Sequence, residues 1–250
     1  MTDARFLQIH WLTSYPATLL NRDDSGLAKR LPFGDVMRTR ISSQCLKRHW
    51  RMVEDEWALR NIGPAMAVRS RDIPARRILP KLEEAGAGTD ESRQATVLAL
   101  AIQLYGEKAE DVSKRQALLL GEPEIAYLTG KCLDIAKAAK DGKAAAEAMK
   151  KLFREEKGNL SAMRKNGVLE AGLEAALFGR MVTSDPEANT DAAVHVAHAF
   201  TVHGEASESD YFTVVDDLTQ EAGEAGAGGI VDTELTAGLF YGYVVVDLAG

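Results

Sequence analysis

The stretch RTRISSQCLKRHWR, Arg38 to Arg51, carries six basic residues, counting His49, and no acidic one. Ser42 or Ser43 supplies a hydroxyl that can accept from a first-turn backbone N–H, so a helix is predicted to begin here. At 100° per residue this helix is amphipathic. Its apolar side comprises Leu46, Trp50, Val53 and Trp57. Its opposite side comprises Gln44, Lys47, Arg48 and Arg51.

The segment before this helix begins with a predicted strand. Residues 5–13, RFLQIHWLT, alternate in polarity and place Leu7, Ile9 and Trp11 on one side, which is typical of a half-buried strand. We expect the apolar side of the helix to dock on this strand beside Trp11 and its basic side to face outward. Residues 14–39 contain Pro, Gly, Asn and Asp and predict a long loop, and long ordered loops are often functional.

The rest of the chain divides into a helical part and a β-rich part. Residues 58–88 show no regular pattern, whereas residues from 89 to about 178 are rich in Ala, Leu, Lys and Glu and predict a helical insertion. After Arg180 the pattern returns to strands, and the apolar stretch Leu239–Leu248 predicts a central strand. The glycine-rich residues 221–234 predict a loop. Together these segments indicate an α+β fold.

Charge is distributed unevenly along the chain. The formal net charge is -7 over 250 residues, yet residues 1–80 contain 14 Lys/Arg and 8 Asp/Glu. A basic segment on an acidic protein suggests a surface that binds a polyanion. The alternative is that this basic segment forms ion pairs with the acidic remainder of the chain, which the charge counts alone do not distinguish. Lys29, Arg30, Arg38 and Arg40 lie just upstream of the basic helix face. This density favours nucleic-acid phosphates, bound largely without regard to base sequence.

The chain lacks the signals of a membrane or secreted protein. No apolar run approaches the ~18 residues needed to span a bilayer, and the first residues do not follow a secretory-signal pattern. Cys45 and Cys132 lie far apart without metal-ligand spacing. We therefore expect a cytoplasmic protein with reduced thiols and no membrane partner.

Two further patterns could carry chemistry. His195, His198 and His203 could suggest a metal, but strand alternation separates them and no HExxH motif is present, which favours a structural role. The loop NRDD, Asn21–Asp24, could bind Mg²⁺ or supply a general base, or it could form a simple Asx turn.

An aromatic pair lies late in the chain. Tyr211 and Phe212 are adjacent on a predicted strand, so they point to opposite faces and one can be core while the other is exposed. An exposed aromatic ring beside a basic groove can stack on the bases of a single strand. Burial of both rings is the alternative.

Several motifs occur in an order that resembles a known family. They are LLNRDD, RISSQCLKR, NIG at 61–63, FGRMVTS at 178–184, VAHAFTVH and DYFTVVDDL. As a set they closely resemble the CasC family, the backbone subunit of the type I-E CRISPR Cascade surveillance complex. The resemblance runs from about Phe6 to the C-terminus and is weakest in the helical insertion.

The resemblance implies a hand-shaped α+β protein. Residues 1–58 and 181–250 would form an RRM-like (ferredoxin-like) palm, residues 59–180 a helical fingers insertion, and residues 204–235 a β-hairpin thumb within the palm. Members of the family continue past the position of Gly250 with a further helix and strands. The resemblance therefore also implies that the C-terminal part of the palm is missing from this sequence.

The resemblance further implies a non-enzymatic RNA-binding scaffold of antiviral defence. Copies would stack head to tail along one CRISPR RNA as a helical filament in a ribonucleoprotein complex. Each thumb would kink out one nucleotide, and the other guide bases would pair with a target DNA strand. Further partners would be the large, small and RNA-end-capping Cascade subunits and, indirectly, a recruited helicase-nuclease. No catalytic residue, metal or cofactor is implied.

Carried over position by position, the resemblance implies a set of RNA contacts. The set comprises Asn21, Arg22, Lys29, Arg40, Ser42, Gln44, Lys47, Arg48, Arg51, Arg69, Arg71, Met181, Tyr211, Phe212 and Thr213. Met181 would wedge against bases near the kink, and Tyr211 to Thr213 would lie beside the flipped nucleotide. One alternative stays open: backbone subunits of other CRISPR classes cut target RNA with a loop aspartate, and Asp23 or Asp24 could play that part.

Overall fold

The computed structural model describes residues 4–106, 109–155, 171–181, 189–215 and 227–249. The chain forms two compact units, Met1–Met52 with Val194–Ala249 and, separately, Val53–Ala193. The first unit is built on an antiparallel sheet and the second mainly on helices. The mixed α and β character predicted from the sequence is thus confirmed, while the roles of palm and fingers stay predictions.

A seven-stranded antiparallel sheet forms the first unit. Its strands are β1 (Phe6–Thr18), β2 (Arg30–Phe33), β3 (Val36–Ile41), β6 (Val194–Val196), β7 (Ala199–Thr201), β8 (Ser207–Val215) and β9 (Ala227–Asp247). The main order is β1-β9-β7-β3-β2, and β6 and β8 also pair with β9. The central strand predicted from Leu239–Leu248 is therefore confirmed, because β9 pairs with β1 along one edge and with β6, β7 and β8 along the other.

The prediction of a loop over residues 14–39 is wrong in part. Strand β1 extends to Thr18, and β2 and β3 form a hairpin. Gly34 and Asp35 make its two-residue turn, with φ angles of 64° and 63°. Glycine adopts positive φ freely and aspartate tolerates it, so this pair satisfies a tight hairpin turn. The segment that remains a loop is residues 19–29.

The prediction of a loop over residues 221–234 is wrong from Ala227 onward. Strand β9 begins there, and β8 pairs with it from Ser207 opposite Thr236 to Val215 opposite Ala227. The paired backbone forms a strand in spite of the low β-propensity of glycine. Residues 221–226 lie outside the described residues. The β8–β9 hairpin covers residues for which a thumb is predicted, and that role stays a prediction.

Helix α1 (Ser43–Met52) packs on the sheet through a small core. Buried Ile41, Ala199 and Phe240 form its centre, and half-buried Leu46 packs against them. The ring of Tyr15 meets Phe240 edge-on, with centroids 5.8 Å apart. Leu46 therefore docks on the sheet against residues of β3, β7 and β9, whereas docking on β1 beside Trp11 was expected.

Several of the other predicted apolar contacts need correction. Val53 and Trp57 lie beyond the end of α1 and are exposed, Trp57 at 81%. The indole of Trp11 lies over Gly242, where an added Cβ would come within 2.0 Å of the ring. Leu7 and Ile9 are exposed, so the predicted half-burial of β1 is wrong for its first half.

The second unit holds most of the described helices, and its role as a fingers insertion stays a prediction. Its elements are β4 (Ala67–Ser70), α2 (Leu79–Glu84), α3 (Asp90–Tyr105), β5 (Leu118–Gly121), α4 (Glu122–Ala138), α5 (Gly142–Glu155) and α6 (Leu173–Phe178). Short 3-10 turns lie at Leu59–Asn61 and Val112–Lys114, and a π turn lies at Pro74–Ile78. Residues 58–88 are therefore not irregular throughout. Fully buried apolar side chains fill the core, among them Ile73, Ile78, Leu82, Leu100, Ile125 and Met149.

An ion pair is buried in the second unit. The Nη1 atom of Arg180 lies 2.6 Å from Oε2 of Glu124, and both side chains are 1% exposed. Glu124 also accepts a hydrogen bond from the backbone N–H of Gly121 at 2.8 Å, which caps α4. Buried charges require such partners, so this pair is part of the framework of the unit.

Candidate nucleic-acid interface

The first turn of α1 is held by side chains that accept from its backbone. Ser42 is the N-cap: its hydroxyl accepts from the N–H of Cys45 at 3.2 Å, and its carbonyl accepts from the N–H of Leu46 at 3.1 Å. The side-chain oxygen of Asn21 accepts from the N–H of Ser42 at 2.9 Å. These bonds satisfy N–H groups that a helix start would otherwise leave without partners.

Asn21 and Ser42 thus have an observed role in positioning the helix. Ser42 is only 4% exposed and its hydroxyl is used as the cap. Asn21 is half-buried, and its backbone carbonyl accepts from the N–H of Lys29 at 2.8 Å. Their predicted contact with RNA stays a prediction, and the geometry explains why these residue types are needed beside the helix.

The side of α1 opposite Leu46 is polar and basic. Gln44 and Arg48 are exposed, and Lys47 and Arg51 are half-buried. Partial burial lowers the pKa of the Lys47 ammonium group. Because the helix is short and anchored at its start, these four side chains are displayed from a fixed backbone, and cations so displayed suit phosphate oxygens.

Upstream cations divide into two groups. Arg30 forms ion pairs with Glu205 and Glu234, so its charge is compensated within the first unit. Arg38 donates to the carbonyl oxygens of Phe33 and Thr201 at 2.8 and 2.7 Å. The charge of Arg30 is therefore compensated, whereas Arg38 keeps its positive charge but has its guanidinium group held by two backbone carbonyls.

The other two cations stay with the candidate surface. Lys29 is half-buried beside β2, and its carbonyl accepts from the N–H of Arg40 at 2.8 Å. Arg40 donates through Nε to the carbonyl of Arg30 at 3.2 Å. Arg40 leads through Ile41 directly into the cap of α1, so its position is continuous with the basic helix.

The loop NRDD adopts the simpler of its two predicted forms. Oδ1 of Asp23 accepts from the N–H groups of Ser25 and Leu27, both at 2.9 Å, which makes an Asx turn. Arg22 is exposed and its backbone bridges to Ala28. Within the described ranges, no group of three His, Cys, Asp or Glu side chains could hold a metal ion.

The hairpin residues lie on β8. Tyr211 is 63% exposed and pairs with Asp232 on β9, and Phe212 and Thr213 pair with Val231 and Ile230. The exposed ring of Tyr211 meets the requirement for a stacking platform. The side chains of Phe212 and Thr213 lie outside the described residues.

Three of the predicted contacts belong to the second unit. Arg69 lies on β4 and is exposed. Arg71 is exposed and donates to the carbonyl of Ser113 at 3.3 Å. Met181 is 67% exposed, as expected of a side chain that wedges against bases. Their predicted contacts with RNA stay predictions.

The part that His198 plays in this region was not predicted from the sequence. Its Nδ1 atom accepts from the backbone N–H of Ser43 at 2.9 Å. Ile41 pairs with Ala199, and this pairing brings Ser43, two residues after Ile41, close to His198. His198 lies immediately before Ala199 in the sequence, but this position predicts a contact with Ser43 only once the β3–β7 register is known. His203, by contrast, accepts through Nε2 from the N–H of Leu239 at 3.2 Å.

Across the stretches that the structure describes, no helix is both long and apolar enough to cross a bilayer.

The fold and this region define a two-unit α and β protein that displays a capped basic helix from an antiparallel sheet. Residues 7–250 match the family model described as CT1975-like protein, and the chain belongs to this family. A comparison with curated proteins finds no match.

Two solved structures are similar along nearly the whole chain. One is a chain of a "CRISPR RNA-guided surveillance complex, pre-nicking", with 31% identity and a TM-score of 0.69 over 98% of this chain. The other is a chain of a "CRISPR RNA-guided surveillance complex", with 27% identity and a TM-score of 0.59 over 98% of this chain. The present chain spans 65% and 64% of the lengths of those two chains.

Proposed function

We propose that this protein is a CRISPR RNA-binding backbone subunit of a surveillance complex of the type I-E Cascade kind. The observation that carries the proposal is the basic side of α1, held in place by Ser42 and Asn21 and flanked by Lys29 and Arg40. Membership of the CT1975-like family and similarity to subunits of CRISPR RNA-guided surveillance complexes support it.

The proposed interaction is with the RNA backbone. Gln44, Lys47, Arg48 and Arg51 would contact phosphate and sugar oxygens, which do not carry base identity. The guide bases would then stay available for pairing with target DNA, so that pairing supplies the sequence specificity. In the same proposal Tyr211 stacks beside a displaced nucleotide, since base stacking on an aromatic ring tolerates every base.

The proposed assembly is a head-to-tail filament of copies along one RNA. Heterologous contacts of this kind continue without closure, so filament length can follow RNA length. The large, small and end-capping subunits would complete the complex, and a recruited helicase-nuclease would cut the DNA. In this proposal the chain itself would not be an enzyme.

Binding to unrelated RNA sequences over a range of salt concentrations tests the proposal. We expect similar affinities for RNAs of equal length and a linear fall in log affinity with log salt, with a slope of about −0.7 for each phosphate contacted. A strong preference for one sequence, or an affinity that salt does not change, would contradict it.

Incubation with complementary RNA and Mg²⁺ distinguishes the ribonuclease alternative. The proposal predicts intact RNA in the assembled complex. Periodic cleavage that is lost in Asp23→Ala or Asp24→Ala would show instead that the subunit cuts its target.

A further inference from the structure

The start of α1 has an acceptor that comes from a distant part of the chain. His198 lies in the connection between β6 and β7, and its Nδ1 accepts from the backbone N–H of Ser43, the first residue of the helix, at 2.9 Å. Asn21 and Ser42 accept from the N–H groups of Ser42 and Cys45 in the same turn. Three side chains from three segments therefore fix where the helix begins.

Sheet pairing explains why His198 reaches this position. Strand β7 pairs with β3, with Phe200 opposite Arg40 and Ala199 opposite Ile41. One further step along this antiparallel register places His198 opposite Ser42, next to the helix start. The position of the acceptor is thus fixed by the strand pairing that begins at the next residue, Ala199.

The hydrogen bond also determines the state of the imidazole. An Nδ1 atom that accepts from an N–H carries no proton, so the ring is neutral and its proton is on Nε2. A protonated ring would lose the acceptor and would place a positive charge at the N-terminus of a helix, where the dipole disfavours cations.

The surroundings of His198 act in the same direction. His198 is exposed, but partial desolvation of its imidazole lowers its pKa, and the positive charges of Arg40 on β3 and Lys29 before β2 lower it further. The contribution to stability is therefore complete above the ordinary pKa of 6.5. It is lost progressively as pH falls from there through the lowered pKa of the folded protein.

We propose that His198 is a positioning residue for the RNA-binding helix: as a neutral acceptor it holds the first turn of α1, and its protonation releases that turn. This inference rests on the proposed function for its RNA readout. Helix α1 carries Gln44, Lys47 and Arg51. It keeps these side chains oriented toward a phosphate backbone only while Nδ1 of His198 accepts from the N–H of Ser43.

The test uses two substitutions at His198 in the full chain. His198→Asn puts an amide oxygen on the same Cγ position as Nδ1 but does not titrate, whereas His198→Leu has the branched shape without an acceptor. At about pH 7.5 we expect His198→Leu to bind a fluorescently labelled single-stranded RNA about threefold to tenfold more weakly, the scale of a lost helix cap, and His198→Asn to bind within about twofold of the wild type. The control His195→Leu changes an exposed histidine one strand earlier and should bind as the wild type does.

A second readout is independent of RNA. The thermal midpoint of the free protein is measured between about pH 5 and pH 8, the range over which a histidine titrates. The wild type and His195→Leu should lose stability below pH 6.5 more steeply than His198→Asn. Equal pH profiles for the wild type and His198→Asn, or RNA binding by His198→Leu equal to that of the wild type, would overturn the inference. If the wild type itself fails to bind RNA, the proposed function fails, and the pH profiles still decide the role of His198.

Discussion

In the second unit, a large buried apolar cluster surrounds Leu100 and Ile125, and a buried ion pair joins Arg180 to Glu124. In the first unit, the buried cluster consists of Ile41, Ala199 and Phe240, and much of the order comes from strand pairing and from side chains that accept from the backbone. A thin core of this kind leaves one side of α1 uncovered. One chain thus combines a helical unit that has a large apolar core with a sheet unit whose helix α1 displays cations.

The largest effect is expected from breaking the buried ion pair of the second unit. Arg180→Leu leaves the Glu124 carboxylate buried without its cation, which costs about 3–5 kcal/mol of unfolding free energy. Chemical denaturation measures this loss. The control Arg77→Leu removes a partly exposed pair with Glu122, with an expected cost of about 0–1 kcal/mol. Similar losses in the two variants would show that the buried pair is not important for the second unit.

A smaller effect is expected from overpacking the first unit. Gly242→Ala places a methyl group 2.0 Å from the indole of Trp11, so the ring must move. Such a change costs about 1–3 kcal/mol. Thermal unfolding should show a lower midpoint for this variant. The control Gly130→Ala, in the exposed middle of α4 with nothing within 4 Å, should instead stabilise by up to about 1 kcal/mol. If Gly242→Ala were neutral, the close packing of β1 on β9 would be refuted.

Removing the cap of α1 should have the next effect. Ser42→Ala deletes the hydroxyl that accepts from Cys45, with an expected cost of about 1 kcal/mol. Denaturant titration gives the value. Ser25→Ala is a suitable comparison, because that residue contributes a backbone N–H and not its hydroxyl to the turn of Asp23. A Ser42→Ala variant as stable as Ser25→Ala would mean that the cap does not support the helix.

Patterns with a short period were predictable from the sequence. The placement of Leu46 and Lys47 on different sides of α1 depends only on helix geometry. The long helices α3, α4 and α5 were predictable from composition. The prediction failed at Trp57 because the helix ends at Met52. Periodicity indicates which side a residue takes but does not fix where a helix ends.

Features that depend on pairing between distant segments were not predictable. The strand at Ala227 exists because β8 pairs with it, and the acceptor role of His198 exists because β7 lies beside β3. The ion pairs of Arg30 with Glu205 and Glu234 likewise join residues far apart in the chain. A count of basic residues therefore predicted a surface that is more positive than the one observed.

Charge reversal on α1 tests the central claim most directly. In the full chain, Lys47→Glu with Arg51→Glu is compared with Lys150→Glu and Arg154→Glu, which reverse two exposed cations at the same spacing on α5. The measurement is the affinity for single-stranded RNA across a salt series. We predict that the α1 variant binds at least about 100-fold more weakly with a shallower salt slope, since it loses two phosphate contacts, and that the α5 variant binds as the wild type does. Equal affinity of the two variants would contradict the assignment of the basic side of α1 as the RNA-binding surface.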